Sequence, residues 1–252
     1  MFGAILGDII GSPYEFDYFN IKTKDFPLFS KDSAFTDDSV MTLAVAQAIM
    51  DTANKESSEE LKKNFVKSMQ SLGRAYPDAG YGANFIFWLA DTDPKPYGSF
   101  GNGSAMRVSS VAWLFDDIDN VRRVARLSAE ISHNHPEGIK GAEATASAIF
   151  LARKGYEKSM IRQYIEDNFE YSFNRTCDDI RPTYHHVESC SIEVSIRTAV
   201  SLGGDCDTLT AIAGSIAEAY YGISDDLKAE CLNRLPDNLK NILIRFQKYL
   251  TI

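Results

Sequence analysis

Phe35-Thr36-Asp37-Asp38-Ser39 runs straight into Val40 to Met50, a stretch apolar nearly all round. That pattern predicts a central helix buried on every side. Two adjacent carboxylates and a hydroxyl at the mouth of such a helix are costly unless something positive sits on them. A second cluster far along the chain, Gly203-Gly204-Asp205-Cys206-Asp207-Thr208, opens another apolar helix, expected over Asp207 to Tyr221.

Each cluster has a plain reading, because Thr36, Asp37, Asp205 or Asp207 can cap a helix. One cap needs one oxygen, however, and each cluster offers two carboxylates and a threonine hydroxyl. Four gathered aspartates would repel and raise one another's pKa values. Two divalent cations would offset that charge, and hard oxygen ligands favour Mg²⁺ or Mn²⁺ over zinc. Cys206 reads as structural. Glu15, after the turn Gly11-Ser12-Pro13-Tyr14, is either a surface residue, a third arm of the site or a general base.

Around these clusters the pattern is helical. Gly3, Gly7 and Gly11 recur every four residues and give the N-terminal helix one smooth face for close packing, with Asp8 placed to bond a neighbouring loop. Ser57 and Glu60 form a capping box for a helix to about Gly73. Further helices are expected over Ala83 to Ala90, Ser104 to Phe115, Asp119 to Ile131, Pro136 to Lys154 with Gly155 as stop, and Lys158 to Phe169. Glu170 to Cys190 is polar and irregular. Helices resume over Ser191 to Val200, Asp225 to Leu235 and Asp237 to Leu250. No alternating strand pattern, repeat or linker interrupts this, so residues 1–252 are expected to form one all-α domain.

Ser99-Phe100-Gly101-Asn102-Gly103-Ser104-Ala105-Met106-Arg107 is a glycine loop entering a helix, and backbone N–H groups there would cradle an anion. Arg107 either completes the cradle or pairs with a structural carboxylate. It is neither a Walker loop nor a Rossmann turn. Ser132-His133-Asn134-His135-Pro136 precedes a helix and would cap it or touch an anionic ligand. His185-His186 receives no role.

The chain has 252 residues, 44% hydrophobic and 24% charged, with a formal charge of −9. That charge argues against a nucleic-acid or anionic-membrane partner. No apolar run approaches a membrane span, and Cys177, Cys190, Cys206 and Cys231 show no CxxC spacing, so reduced thiols and a cytoplasmic location are expected.

These motifs together resemble the ADP-ribosylglycohydrolase family. The resemblance runs through Gly3 to Asp8, Gly11 to Phe16, Thr36 to Ser39, Gly101 to Arg107, Ser132-His133 and Gly203 to Thr208, in order along nearly the whole chain. It implies an all-α orthogonal helical bundle with a dinuclear Mg²⁺ or Mn²⁺ centre. Thr36, Asp37, Asp38, Asp205, Asp207 and Thr208 are the implied metal ligands. Gly101, Asn102, Gly103, Ser104, Ala105, Met106 and Arg107 would hold a diphosphate, and His133 would touch the ligand. Glu15, Asp37, Asp38 and Asp207 are the expected catalytic carboxylates. The implied reaction is hydrolysis of the bond between ADP-ribose and an acceptor, on a modified protein or a small ADP-ribose compound, by a monomer. A metal-dependent phosphohydrolase and a silent ADP-ribose-binding relative are the alternatives.

Overall fold

The three glycines of the first helix each meet backbone. A Cβ on Gly3 would lie 2.1 Å from the carbonyl oxygen of Gly214, one on Gly7 2.1 Å from that of Thr210, and one on Gly11 2.5 Å from that of Cys206. The partners fall by four as the glycines rise by four, so the two helices run antiparallel in backbone contact. Only glycine permits that approach.

The computed structural model describes residues 1–15, 21–182, 202 and 204–251. Its helices are α1 (Phe2–Gly11), α2 (Asp37–Asp51), α3 (Ser58–Ala75), α4 (Ala83–Ala90), α5 (Gly103–Met106), α6 (Val111–Leu114), α7 (Ile118–Glu130), α8 (Pro136–Arg153), α9 (Lys158–Phe169), α10 (Cys177–Ile180), α11 (Cys206–Tyr221), α12 (Asp225–Arg234) and α13 (Asp237–Tyr249), with a 3-10 turn at Ser12–Tyr14. Among the described residues there is no strand, and the fold is all-α as expected. No helix of the described residues is long and apolar enough to cross a membrane.

The α2 stretch is as buried as its composition demands: Val40, Met41, Leu43, Ala44, Val45 and Ile49 are sealed from solvent. It packs among α1, α3 and α13. The amphipathic face of α3 supplies Leu61, Phe65 and Met69, all fully buried. Burying each such side chain contributes about 1.5–3 kcal/mol.

Three local expectations change. The helix expected over Ser104 to Phe115 is two single turns, α5 and α6, because Val108-Ser109-Ser110 contains a β-branched residue and two serines that compete for backbone bonds. At α3 only half of the capping box forms. Ser57 Oγ accepts from Glu60 N at 3.2 Å, while Glu60 Oε1 accepts from Ala53 N at 3.0 Å, one turn upstream of the cap. The polar stretch from Glu170 carries α10, held by a capping box of Thr176 and Asp179. The helix expected over Ser191 to Val200, and Gly203, lie outside the described residues.

The α1–α11 contact carries a direct test. Gly7→Ala should lower the urea unfolding free energy by about 3 kcal/mol or more, because two backbones must separate. Gly82→Ala, whose Cβ would meet nothing within 4 Å, should change it by less than about 1 kcal/mol. Equal stabilities for the two variants would show that the helices do not touch.

Candidate functional site

Because α1 and α11 are antiparallel, the end of α1 lies beside the start of α11. Glu15, just past the 3-10 turn, therefore meets Asp205 and Asp207. Asp8, one turn back in α1, takes the start of α2. Its carboxylate accepts from Thr36 N at 2.9 Å, Thr36 Oγ1 at 2.7 Å, Ser39 N at 3.0 Å and Ser39 Oγ. The sequence placed Asp8 against a loop; it binds a helix N-terminus. Thr36 is also the α2 cap, and its Oγ1 receives Asp38 N at 3.4 Å. Asp37 N–H donates to Ala79 O at 2.7 Å, which draws the Gly80–Gly82 loop to the cluster.

The acids form two groups, Asp37–Asp38–Asp207 and Glu15–Asp205–Asp207, in each of which one oxygen per residue lies within 4.8 Å of the others. Asp207 belongs to both. Thr208 Oγ1 donates to Asp38 Oδ2 at 2.9 Å, and Thr36 Oγ1, whose proton goes to Asp8, lies 3.2 Å from Asp207 Oδ2. The second Asp38 oxygen, Oδ1, is buried without a partner. Among the described residues no lysine or arginine forms an ion pair with any of these carboxylates.

Their proton affinities register the crowding. Burial, then Asp205 and Asp8, lifts Glu15 to about 7. Burial, then Asp8, Asp205 and Glu15, lifts Asp37 to about 8. Asp38 and Asp207 are held well above the usual carboxylate range, first by burial and then by their acidic neighbours. Asp8 rises only to about 6, because its hydrogen bonds oppose its burial. Hard oxygen donors, an orphaned carboxylate oxygen and unpaired charge together suit divalent cations.

Glu15, Asp37, Asp205, Asp207 and Thr208 of the cluster border a cavity of about 400 Å³. Of the glycine loop, Ser99, Gly101, Asn102, Gly103, Met106 and Arg107 border it. Ser104 turns inward and donates to Gly138 O at 2.7 Å, and Ala105 is buried. Among the described residues no protein acceptor takes the N–H of Asn102, Gly103 or Ser104, whereas those of Ala105 and Met106 return to Asn102 O. Asn102 Nδ2 donates to Asp205 Oδ2 at 2.7 Å and so ties the loop to the acids. His133 borders the cavity. His135 caps α8, its Nδ1 accepting from Glu137 N at 3.1 Å. Arg107 is wholly buried and pairs with no carboxylate among the described residues.

A family model described as ADP-ribosylglycohydrolase matches residues 1–187. The chain belongs to the ADP-ribosylglycohydrolase family. Human ADP-ribosylhydrolase ARH3 is 26% identical over 309 residues, covering 88% of this chain and 84% of its own. The ADP-ribosyl-dinitrogen reductase glycohydrolase of Rhodospirillum rubrum is 25% identical over 275 residues, covering 92% and 87%. A solved structure described as an ADP-ribosylglycohydrolase-related protein complex superposes with a TM-score of 0.63 at 20% identity, over 98% of this chain and 95% of that one, and shares the fold. The matched segment ends before Asp205, so the family match and the helix packing describe the two halves of the cluster separately.

One wall of the cavity was not foreseen. Gly80, Gly82, Ala83, Asn84, Phe85 and Tyr97 also border the cavity. The signal was Gly80-Tyr81-Gly82 before a short helix: Gly80 adopts φ +101°, and a side chain there would approach Asp37 Oδ1. The sequence had read Ala83 to Ala90 only as a hydrophobic helix.

The raised acids set a pH dependence. A carboxyl whose folded pKa exceeds its unfolded value binds protons better when folded, so stability falls as pH rises between the two values. Here that window runs from the ordinary 3.8–4.5 up to about 8 and beyond. His133, pushed down to about 3 from 6.5 by burial and Arg107, acts oppositely, but only below about 6.5. In chelator, the melting temperature should therefore fall between about pH 6.5 and pH 8.5, and Mg²⁺ or Mn²⁺ should reverse the fall. A melting temperature that is flat in chelator and indifferent to both cations would mean that the carboxylates are already balanced.

Proposed function

We propose that the chain hydrolyses the glycosidic bond joining C1″ of ADP-ribose to an acceptor atom, with two divalent cations, Mg²⁺ or Mn²⁺, at the acidic cluster bordering the cavity. The supporting observation is the pair of carboxylate groups that share Asp207, bordering the same cavity as Asn102 and Gly103, whose backbone N–H groups have no protein acceptor among the described residues. Asp37, Asp38 and Asp207, with Thr36 and Thr208 beside them, would hold one cation, and Asp205 and Asp207 the other, with Glu15 next to it. When bound, the cations would neutralise the carboxylates, polarise the ribose hydroxyls and make a water more acidic.

The remaining work falls to the chain itself. The glycine loop would hold the diphosphate and thereby fix where the distal ribose lies. Phe85 and Tyr97 would wall the cavity against bulk water. Glu15, half-buried and open to the cavity, would take the proton of the attacking water. A C1″–oxygen bond forms, the bond to the acceptor breaks, and the acceptor leaves with a proton. The reading takes residues 1–252 as one domain, monomeric and cytoplasmic, acting on an ADP-ribosylated protein or a small ADP-ribose compound without a nucleic-acid partner. The names of the ARH3 and Rhodospirillum rubrum relatives support the substrate class.

Asp37→Ala and Asp207→Ala, each checked for helical content by circular dichroism, should lower turnover of an ADP-ribosylated substrate by about a hundredfold or more. Chelation should abolish activity, and Mg²⁺ or Mn²⁺ should restore it. Free ADP-ribose must be the product. Release of inorganic phosphate instead would point to a phosphohydrolase, and tight ADP-ribose binding without turnover on arginine, serine and acetyl linkages would point to a binding protein.

A further inference from the structure

Arg107 is the largest side chain that the described residues bury completely. A guanidinium at that depth normally faces a carboxylate. Here one terminal nitrogen, Nη2, donates to Ser128 O at 2.7 Å and to Ser132 Oγ at 2.9 Å, and Cζ lies 5.8 Å from the centre of the Phe85 ring. Ser132 is itself fully buried, and its Oγ lies 2.9 Å from His133 Nδ1.

Counting protons resolves these contacts. Arginine only donates, so Ser132 Oγ accepts in that bond. The hydroxyl has one proton, and His133 Nδ1 is the remaining polar atom in hydrogen-bonding contact with it among the described residues. A buried hydroxyl proton without an acceptor is costly, so it goes to Nδ1. Nδ1 then carries no proton, and a neutral ring must hold its own on Nε2. Charging the ring would set a second cation beside the guanidinium and leave the hydroxyl without its acceptor. Burial and Arg107 accordingly hold the His133 pKa far below its usual value. Nε2 has no partner among the described residues. It faces the glycine loop, 2.8 Å from where a Cβ on Gly103 would lie.

We infer that Arg107, acting through Ser132, locks His133 as the neutral Nε2–H tautomer, so that the ring offers one hydrogen-bond donor to a phosphate oxygen held at the Asn102–Ser104 loop. Through Nη2, Arg107 is then a positioning residue; its buried Nε has no partner among the described residues. The site selects an acceptor atom at that point and rejects an amine. The phosphate identity rests on the ADP-ribose reading; the tautomer does not.

Long-range ¹H–¹⁵N spectra of protein labelled with ¹⁵N-histidine, with His133 assigned from a His133→Asn variant, report which ring nitrogen bears the proton. The wild type should show Nε2–H and stay neutral down to about pH 5. Ser132→Ala should give a mixture of tautomers and weaken ADP-ribose binding about tenfold. A wild-type ring that is Nδ1–H, or charged at neutral pH, overturns the inference, as does an unchanged tautomer in Ser132→Ala. If that variant does not fold, the wild-type spectrum decides alone. The expected tautomers with no ADP-ribose binding to the wild type would support the relay and overturn the substrate reading.

Discussion

Two helix backbones touch where a methyl group on Gly7 would sit 2.1 Å from a carbonyl oxygen. That contact between α1 and α11 sets the geometry on which the site depends. It brings Glu15 to Asp205 and Asp207, while Asp8, on the same helix, gathers Thr36 and Ser39 at the start of α2. One short helix therefore carries both halves of the acidic cluster. Each glycine costs about 1 kcal/mol of helix propensity relative to alanine. The close packing of buried Phe2, Ile5, Leu6, Ile9 and Ile10 around the contact offsets it.

Elsewhere the fold pairs its buried carboxylates. Glu143 is buried, yet Arg126 reaches it at 2.5 Å and Arg122 at 3.3 Å. Asp8 is satisfied by four donors. Asp37, Asp38 and Asp207 have no cationic partner among the described residues, and Asp38 keeps one buried oxygen unbonded. A cluster left without cations inside a protein that gives Glu143 two arginines and Asp8 four donors marks a place where local stability yields to binding. Arg107 is the reverse case: a buried cation with no carboxylate partner among the described residues, whose Nη2 donates instead to a carbonyl and a serine hydroxyl.

Much of this was legible in the chain. The apolar run after Thr36-Asp37-Asp38 reads directly as a buried helix, and the glycine spacing reads as a helix face awaiting a partner. Composition and periodicity leave little alternative to an all-α fold. The break between α5 and α6 was missed because helical periodicity continues across Val108-Ser109-Ser110 while propensity does not. The Gly80–Phe85 wall was missed because a glycine's positive φ leaves no trace in hydrophobic pattern. The role of Arg107 stayed open because a guanidinium's partner depends on what surrounds it, and Ser128 and Ser132 are a full helix away.

The sequence by itself determined the long helices of the described residues, the acidic clusters and the family, since these rest on periodicity and local motif. Tertiary structure alone decided that Asp207 serves both carboxylate groups and that Asn102 ties the loop to Asp205. It also decided that Arg107 faces a serine rather than an acid. The reason is distance. Each of these relations joins side chains on different elements, and their energies follow from burial and from neighbours within a few ångströms. Chain order does not encode either until α1 and α11 have met.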